Sequence, residues 1–138
     1  MTPEERAIAL LYDGYVAEAQ PIVNDEVLTG IERIGNYTDH LLKRTRLTSR
    51  QRQDVMQLSK TVKRLHQVWL RKPPLTYMTD MRKTQLRQFV CPQVTKIVSI
   101  STIVLIDSDE PLTSIQEMYL QTINETGDEL LDQVESLL

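Results

Sequence analysis

Residues 94–106 read Val-Thr-Lys-Ile-Val-Ser-Ile-Ser-Thr-Ile-Val-Leu-Ile, and the way this stretch folds decides the class of the whole chain. Its β-branched residues favour a strand. A strand needs a partner, however, and the sequence offers no second candidate, so a strand here implies pairing across a dimer. A helix buried on most sides accommodates the same residues, with Pro92 at its start and Ser99 and Ser101 as small contact residues. The helix is the preferred reading and the strand stays open beside it. The run carries Lys96 and falls well short of the ~20 apolar residues that a membrane helix needs.

The flanking sequence is written in helical punctuation. Thr48 with Gln51 and Thr113 with Gln116 form capping boxes, in which a hydroxyl accepts a free backbone N–H and the side chain three residues on reaches back. Thr2 and Glu5 repeat the pattern with Pro3 at the first helical position, and Asn24 before Asp25 and Glu26 marks another start. Pro21 ends the first helix and Pro73-Pro74 the third, while Pro92 and Pro111 bound the segment between them. These signals predict helices near 3–19, 25–45, 49–72, 77–90 and 113–138, with short connections.

Apolar spacing agrees. Val27, Ile31, Ile34 and Leu41 recur at helical steps, as do Val55, Leu58, Val62, Leu65 and Trp69, and Leu120, Ile123, Leu130, Val134 and Leu137. Gly127 occupies the missing place in the last seam, either admitting a neighbouring backbone or breaking the helix in two. With one Phe and one Trp, the core must be aliphatic, and four glycines are too few for the turns of a sandwich or barrel. The expected fold is an all-α bundle of five or six helices forming one domain over 1–138, with 94–106 as its one strand-like segment. No internal repeat and no low-complexity tract stands out.

Charge is segregated along the chain. Residues 1–40 hold two basic and eight acidic side chains, residues 41–90 thirteen and two, and residues 91–138 one and nine. A formal net charge of −3 thus hides a strongly basic centre between acidic ends. On the helix at 49–72, Lys60, Arg64 and Arg71 fall opposite the apolar seam and Lys63 at its flank; Glu125, Asp128, Glu129 and Asp132 sit likewise on the last helix. The plainest account is a set of solvated helix faces. A second is complementarity between the acidic and the basic helix, within one chain or across a dimer. A third is a docking surface for an anion, either an acidic protein or a nucleic acid.

Catalytic chemistry finds little footing. His40 and His66 fall on different helices with no further ligand at metal spacing, so no metal site is expected. Cys91 has no base in any recognisable pattern and suits a buried or helix-boundary position. The acidic loop Asp107-Ser108-Asp109-Glu110 lacks the ligand spacing and turn glycine of a cation loop, and no Gly-rich phosphate loop occurs. A lone cysteine and an N-terminus without a signal-peptide pattern suggest a cytoplasmic protein away from the membrane, in which the sequons at Asn36 and Asn124 are chance. The expectation is a non-enzymatic interaction protein, a regulator, adaptor or assembly factor, with no cofactor. It would self-associate, as a homodimer, to hide its surplus of apolar faces. It would dock an acidic protein partner through Lys43, Arg44, Lys60, Lys63, Arg64, Arg71, Lys83 and Arg87. DNA or RNA binding by the same face is the alternative. It is weakened by the absence of interleaved aromatics and of any zinc-finger, RNP-like or helix-turn-helix pattern.

Overall fold

In the computed structural model, residues 25–138 are described, and among them every regular element is helical. The expected helix at 3–19, its Thr2 cap, its Pro21 stop and the start at Asn24 lie outside the described residues. Helix α1 spans Glu26–Arg44 and begins at Asp25, whose Oδ1 accepts the Leu28 N–H at 2.9 Å. Helix α2 spans Ser49–Arg71. Its capping box is complete: the Gln51 N–H donates to Thr48 Oγ1 at 3.1 Å, and the Thr48 N–H donates to Gln51 Oε1 at 3.0 Å. Pro73 and Pro74 follow its end, and a 3-10 turn, Leu75–Tyr77, carries the chain into α3, Asp80–Ile106. Helix α4, Ser114–Leu137, opens on the second capping box, Thr113 with Gln116.

Four α-helices lie among the described residues, where the expected five or six would place four or five, because the predicted helix at 77–90 and the 94–106 segment are one element. Pro92 sits inside α3 rather than bounding it. Proline lacks the N–H that would reach the carbonyl four residues back, here that of Gln88. Gln88 and Pro92 both lie on the exposed side of the helix, where water can take that carbonyl. The strand alternative for 94–106 is overturned. Val94, Ile97, Ile100, Ser101 and Val104 are buried at steps of three, three, one and three, the stripe of a helix. The Ser101 and Thr102 hydroxyls donate back to the Val98 carbonyl at 2.9 and 2.8 Å, so its β-branched and hydroxyl residues serve the helix. As one 27-residue helix, α3 is long and apolar enough to cross a membrane by length and composition alone, which the 94–106 run was not. In this fold it packs between α2 and α4.

Each helix packs against two others: α1 against α2 and α4, and α3 against α2 and α4. The four close a ring with α2 and α4 at opposite corners, wrapped around an aliphatic core in which Ile34, Leu41, Leu58, Leu65, Ile97, Leu120 and Ile123 are fully buried. Gly127 does not break α4. It marks a close approach, for a Cβ there would stand 2.7 Å from Val98 Cγ2.

The ring also contains a repeat that the sequence reading missed. Leu47-Thr48-Ser49-Arg50-Gln51 and Leu112-Thr113-Ser114-Ile115-Gln116 start α2 and α4 in the same way. Beyond them the buried positions coincide at a fixed offset: Val55 with Leu120, Leu58 with Ile123, Thr61 with Thr126, Val62 with Gly127, Leu65 with Leu130 and Trp69 with Val134. Helices α1 and α3 match too, Val27 with Val90, Ile31 with Val94, Ile34 with Ile97, Thr38 with Ser101 and Leu41 with Val104. Hydrogen bonds repeat as well, since the Thr45 hydroxyl donates to the Leu41 carbonyl and the Ser108 hydroxyl to that of Val104. The two hairpins lock together at one end through their capping glutamines. Gln51 Nε2 donates to the Glu110 carbonyl at 3.0 Å, and Gln116 Nε2 to the Arg46 carbonyl at 2.8 Å.

Candidate partner-binding groove

The end of α2 and the start of α3 lie side by side because the diproline and the 3-10 turn reverse the chain between them. An open groove of about 500 Å³ runs between the two helices there. Arg64, Arg71, Lys72 and Arg82 border it, Val68, Met78 and Leu86 supply its apolar surface, and Gln67 and Gln85 add amides. No carboxylate is among its lining residues.

Two of the cations are steadied by aromatic rings. The Arg64 guanidinium lies 5.3 Å from the centroid of the Phe89 ring on α3. Lys72 Nζ lies 4.5 Å from that of Trp69, whose indole N–H donates to both Asp25 oxygens, at 3.0 and 3.3 Å. Asp25 thereby caps α1 and pins the end of α2 to it. Burial lowers the pKa of Lys72 from its ordinary value, and the nearby Asp25 carboxylate works against that shift. A second anion beside this ammonium would act in the same direction as Asp25, by charge attraction. The arrangement can therefore hold a carboxylate-bearing segment that also offers an apolar side chain.

The predicted basic residues do not form one patch. Arg64 and Arg71 line the groove, and Lys60 stands exposed one turn before Arg64 on the same ridge. Lys63, one turn from His66, lies on the other flank of α2, where His66 faces Glu32 of α1 at 3.7 Å. Lys43 and Arg44 end α1 at the opposite end of the bundle, roughly 30 Å from Arg71 by the rise along α2. Arg87 sits three turns before Val98 and so on the side of α3 that faces α4, with Lys83 one turn earlier. Lys72 and Arg82 were missed. The signal was present: basic residues on both sides of a diproline reversal must converge.

The remaining polar candidates are structural in their surroundings. Among the described residues no group of His, Cys, Asp and Glu is placed to hold a metal ion. His66 Nε2 is buried without a hydrogen-bond partner, its distance to Glu32 being too long for one. The His40 ring packs at a tilt against Tyr119, their centroids 5.8 Å apart, and Cys91 is half-buried. Asn124, nominally a sequon residue, directs its amide at the Val98 carbonyl and the Ser101 and Thr102 hydroxyls between α3 and α4. The acidic loop ties the hairpins together instead of forming a cage: Asp109 accepts from the Thr48 hydroxyl at 2.7 Å and Asp107 pairs with Arg50 at 3.2 Å. No family model, no curated protein and no solved structure matches the chain.

Proposed function

We propose that this is a non-enzymatic interaction protein, a regulator, adaptor or assembly factor, whose α2–α3 groove docks an acidic segment of a protein partner. The observation that carries the reading is the make-up of the groove: four cations around an apolar surface, with no carboxylate among the lining residues. An amphipathic acidic helix satisfies both halves of that surface at once, seating one or two apolar side chains against Val68, Met78 and Leu86 while its carboxylates meet Arg71 and Arg82. A nucleic acid would use only the charge. Trp69 and Phe89, the rings that hold two of these cations, are buried and half-buried and already engaged, so neither is free for a base to stack on. A cytoplasmic setting, in which Cys91 stays a thiol, goes with the same reading.

A fluorescein-labelled acidic amphipathic peptide should bind, with its anisotropy rising on addition of protein. The Arg71→Glu/Arg82→Glu variant should bind it at least tenfold more weakly with an unchanged circular-dichroism spectrum. Equal binding by the variant would sink the reading. A shifted band with a DNA or RNA probe and no peptide binding would favour nucleic acid instead.

A further inference from the structure

Helices α2 and α4 are equivalent in their buried residues and opposite in charge at four of their exposed positions. At the fixed offset that superposes Leu58 on Ile123 and Leu65 on Leu130, Arg52 falls on Glu117, Lys60 on Glu125, Lys63 on Asp128 and Arg64 on Glu129. All eight side chains are exposed. None takes part in the Arg50–Asp107 ion pair or the His66–Glu32 contact found among the described residues. Within one molecule the two sets cannot meet. Their helices stand at opposite corners of the ring, and Lys60 and Glu125 face away from it.

A surface that carries acids at the equivalents of these four α2 bases therefore exists on every other copy of the chain. We infer that the basic outer face of α2 binds the acidic outer face of α4 of a second copy. This rests on the reading that the basic region meets an acidic protein surface, and it names one such surface. Displacing a copy sideways without rotation brings its α4 alongside α2 and parallel to it. Glu125 then comes level with Lys60, and Glu129 with Arg64. Met56 and Met118, 46% and 50% exposed on the outer sides of α2 and α4, add apolar area to the contact. The contact is heterologous: each copy added leaves one basic and one acidic face unfilled. Growth is consequently open-ended rather than closed at a dimer. Pairs this exposed are individually weak and screened by salt, so the assembly is reversible and held by the number of pairs.

Sedimentation velocity tests this. At ~0.01 M salt, where screening acts over ~30 Å, the mean mass of the unmodified chain should climb with protein concentration, and at ~1 M it should fall to that of one chain. Two variants sharpen the test, K60E/K63E/R64E and E125K/D128K/E129K. Each alone should sediment as a single chain at low salt, and an equimolar mixture should regain association, because the basic α2 of one meets the acidic α4 of the other. If either variant loses its helical circular-dichroism signal, K60Q/K63Q/R64Q and E125Q/D128N/E129Q replace the pair, each expected to weaken association at least tenfold. An unmodified chain that stays at single-chain mass at low salt overturns the inference, as does association that survives either variant or a mixture of folded variants that fails to associate. Peptide binding separates the two readings. A single-chain mass with the acidic peptide still bound removes the self-association alone, and association without peptide binding removes the groove reading alone.

Discussion

At the scale of single residues, the two hairpins solve one packing problem in mirrored ways. In the first, Gly35 of α1 faces Val62 of α2, and a Cβ on Gly35 would lie 3.5 Å from Val62 Cγ1. In the second, the bulky residue is Val98 on α3 and the glycine is Gly127 on α4, with a Cβ falling 2.7 Å from Val98 Cγ2. The pair is small-to-large in one hairpin and large-to-small in the other. Gly127→Ala should destabilise the protein by about 1–2 kcal/mol, because the overlap exceeds the ~1 kcal/mol that alanine gains in a helix. Adding Val98→Ala should recover most of the loss, whereas Gly35→Ala, in ordinary contact, should stabilise by up to about 1 kcal/mol. Urea melts of the variants check this; a double variant no better than Gly127→Ala would show that the overlap is not the cause.

At the scale of elements, what was legible in the sequence was whatever is decided locally. The hydroxyl and the glutamine of each capping box lie within one turn of each other, and the starts of α2 and α4 fall at Ser49 and Ser114 beside them. The seam of α2 was equally plain, because Val55, Leu58, Val62, Leu65 and Trp69 are all buried. Pro92 misled for the same reason, since a proline is a local stop signal and only tertiary packing shows that its orphaned carbonyl can face water. Pro92→Ala should restore an N–H to the Gln88 carbonyl and raise stability by about 1 kcal/mol or more. A lower thermal midpoint would mean that α3 needs the proline's geometry to seat against both neighbours. The basic groove was half legible: Arg64 and Arg71 could be placed on one ridge of α2, but Arg82 joins them only through the reversal at Pro73-Pro74.

At the scale of the whole molecule, the repeat escaped the sequence because the hairpins share positions more than identities. Only burial shows that Trp69 and Val134, or Thr38 and Ser101, are the same place twice. The hairpins are held at one end by a reciprocal exchange of glutamine amides, Gln51 to the Glu110 carbonyl and Gln116 to that of Arg46. Gln51→Ala and Gln116→Ala should each cost about 1–2 kcal/mol, through a lost cap partner and a carbonyl left without its donor. Together they should cost less than the sum, since either one alone loosens the junction that both close. Strict additivity in a double-mutant cycle would mean that the two bonds act independently.

The inversion of charge between α2 and α4 has a consequence that needs no partner at all. Positive charge gathers along one corner of the bundle and negative charge along the opposite one, so the described residues form a permanent electric dipole directed across the helices rather than along them. In a dilute electrolyte, where fields reach tens of ångströms, such a body turns before it touches. A negatively charged surface of any kind meets α2 first and a positive one meets α4 first, and each encounter begins with its orientation already chosen.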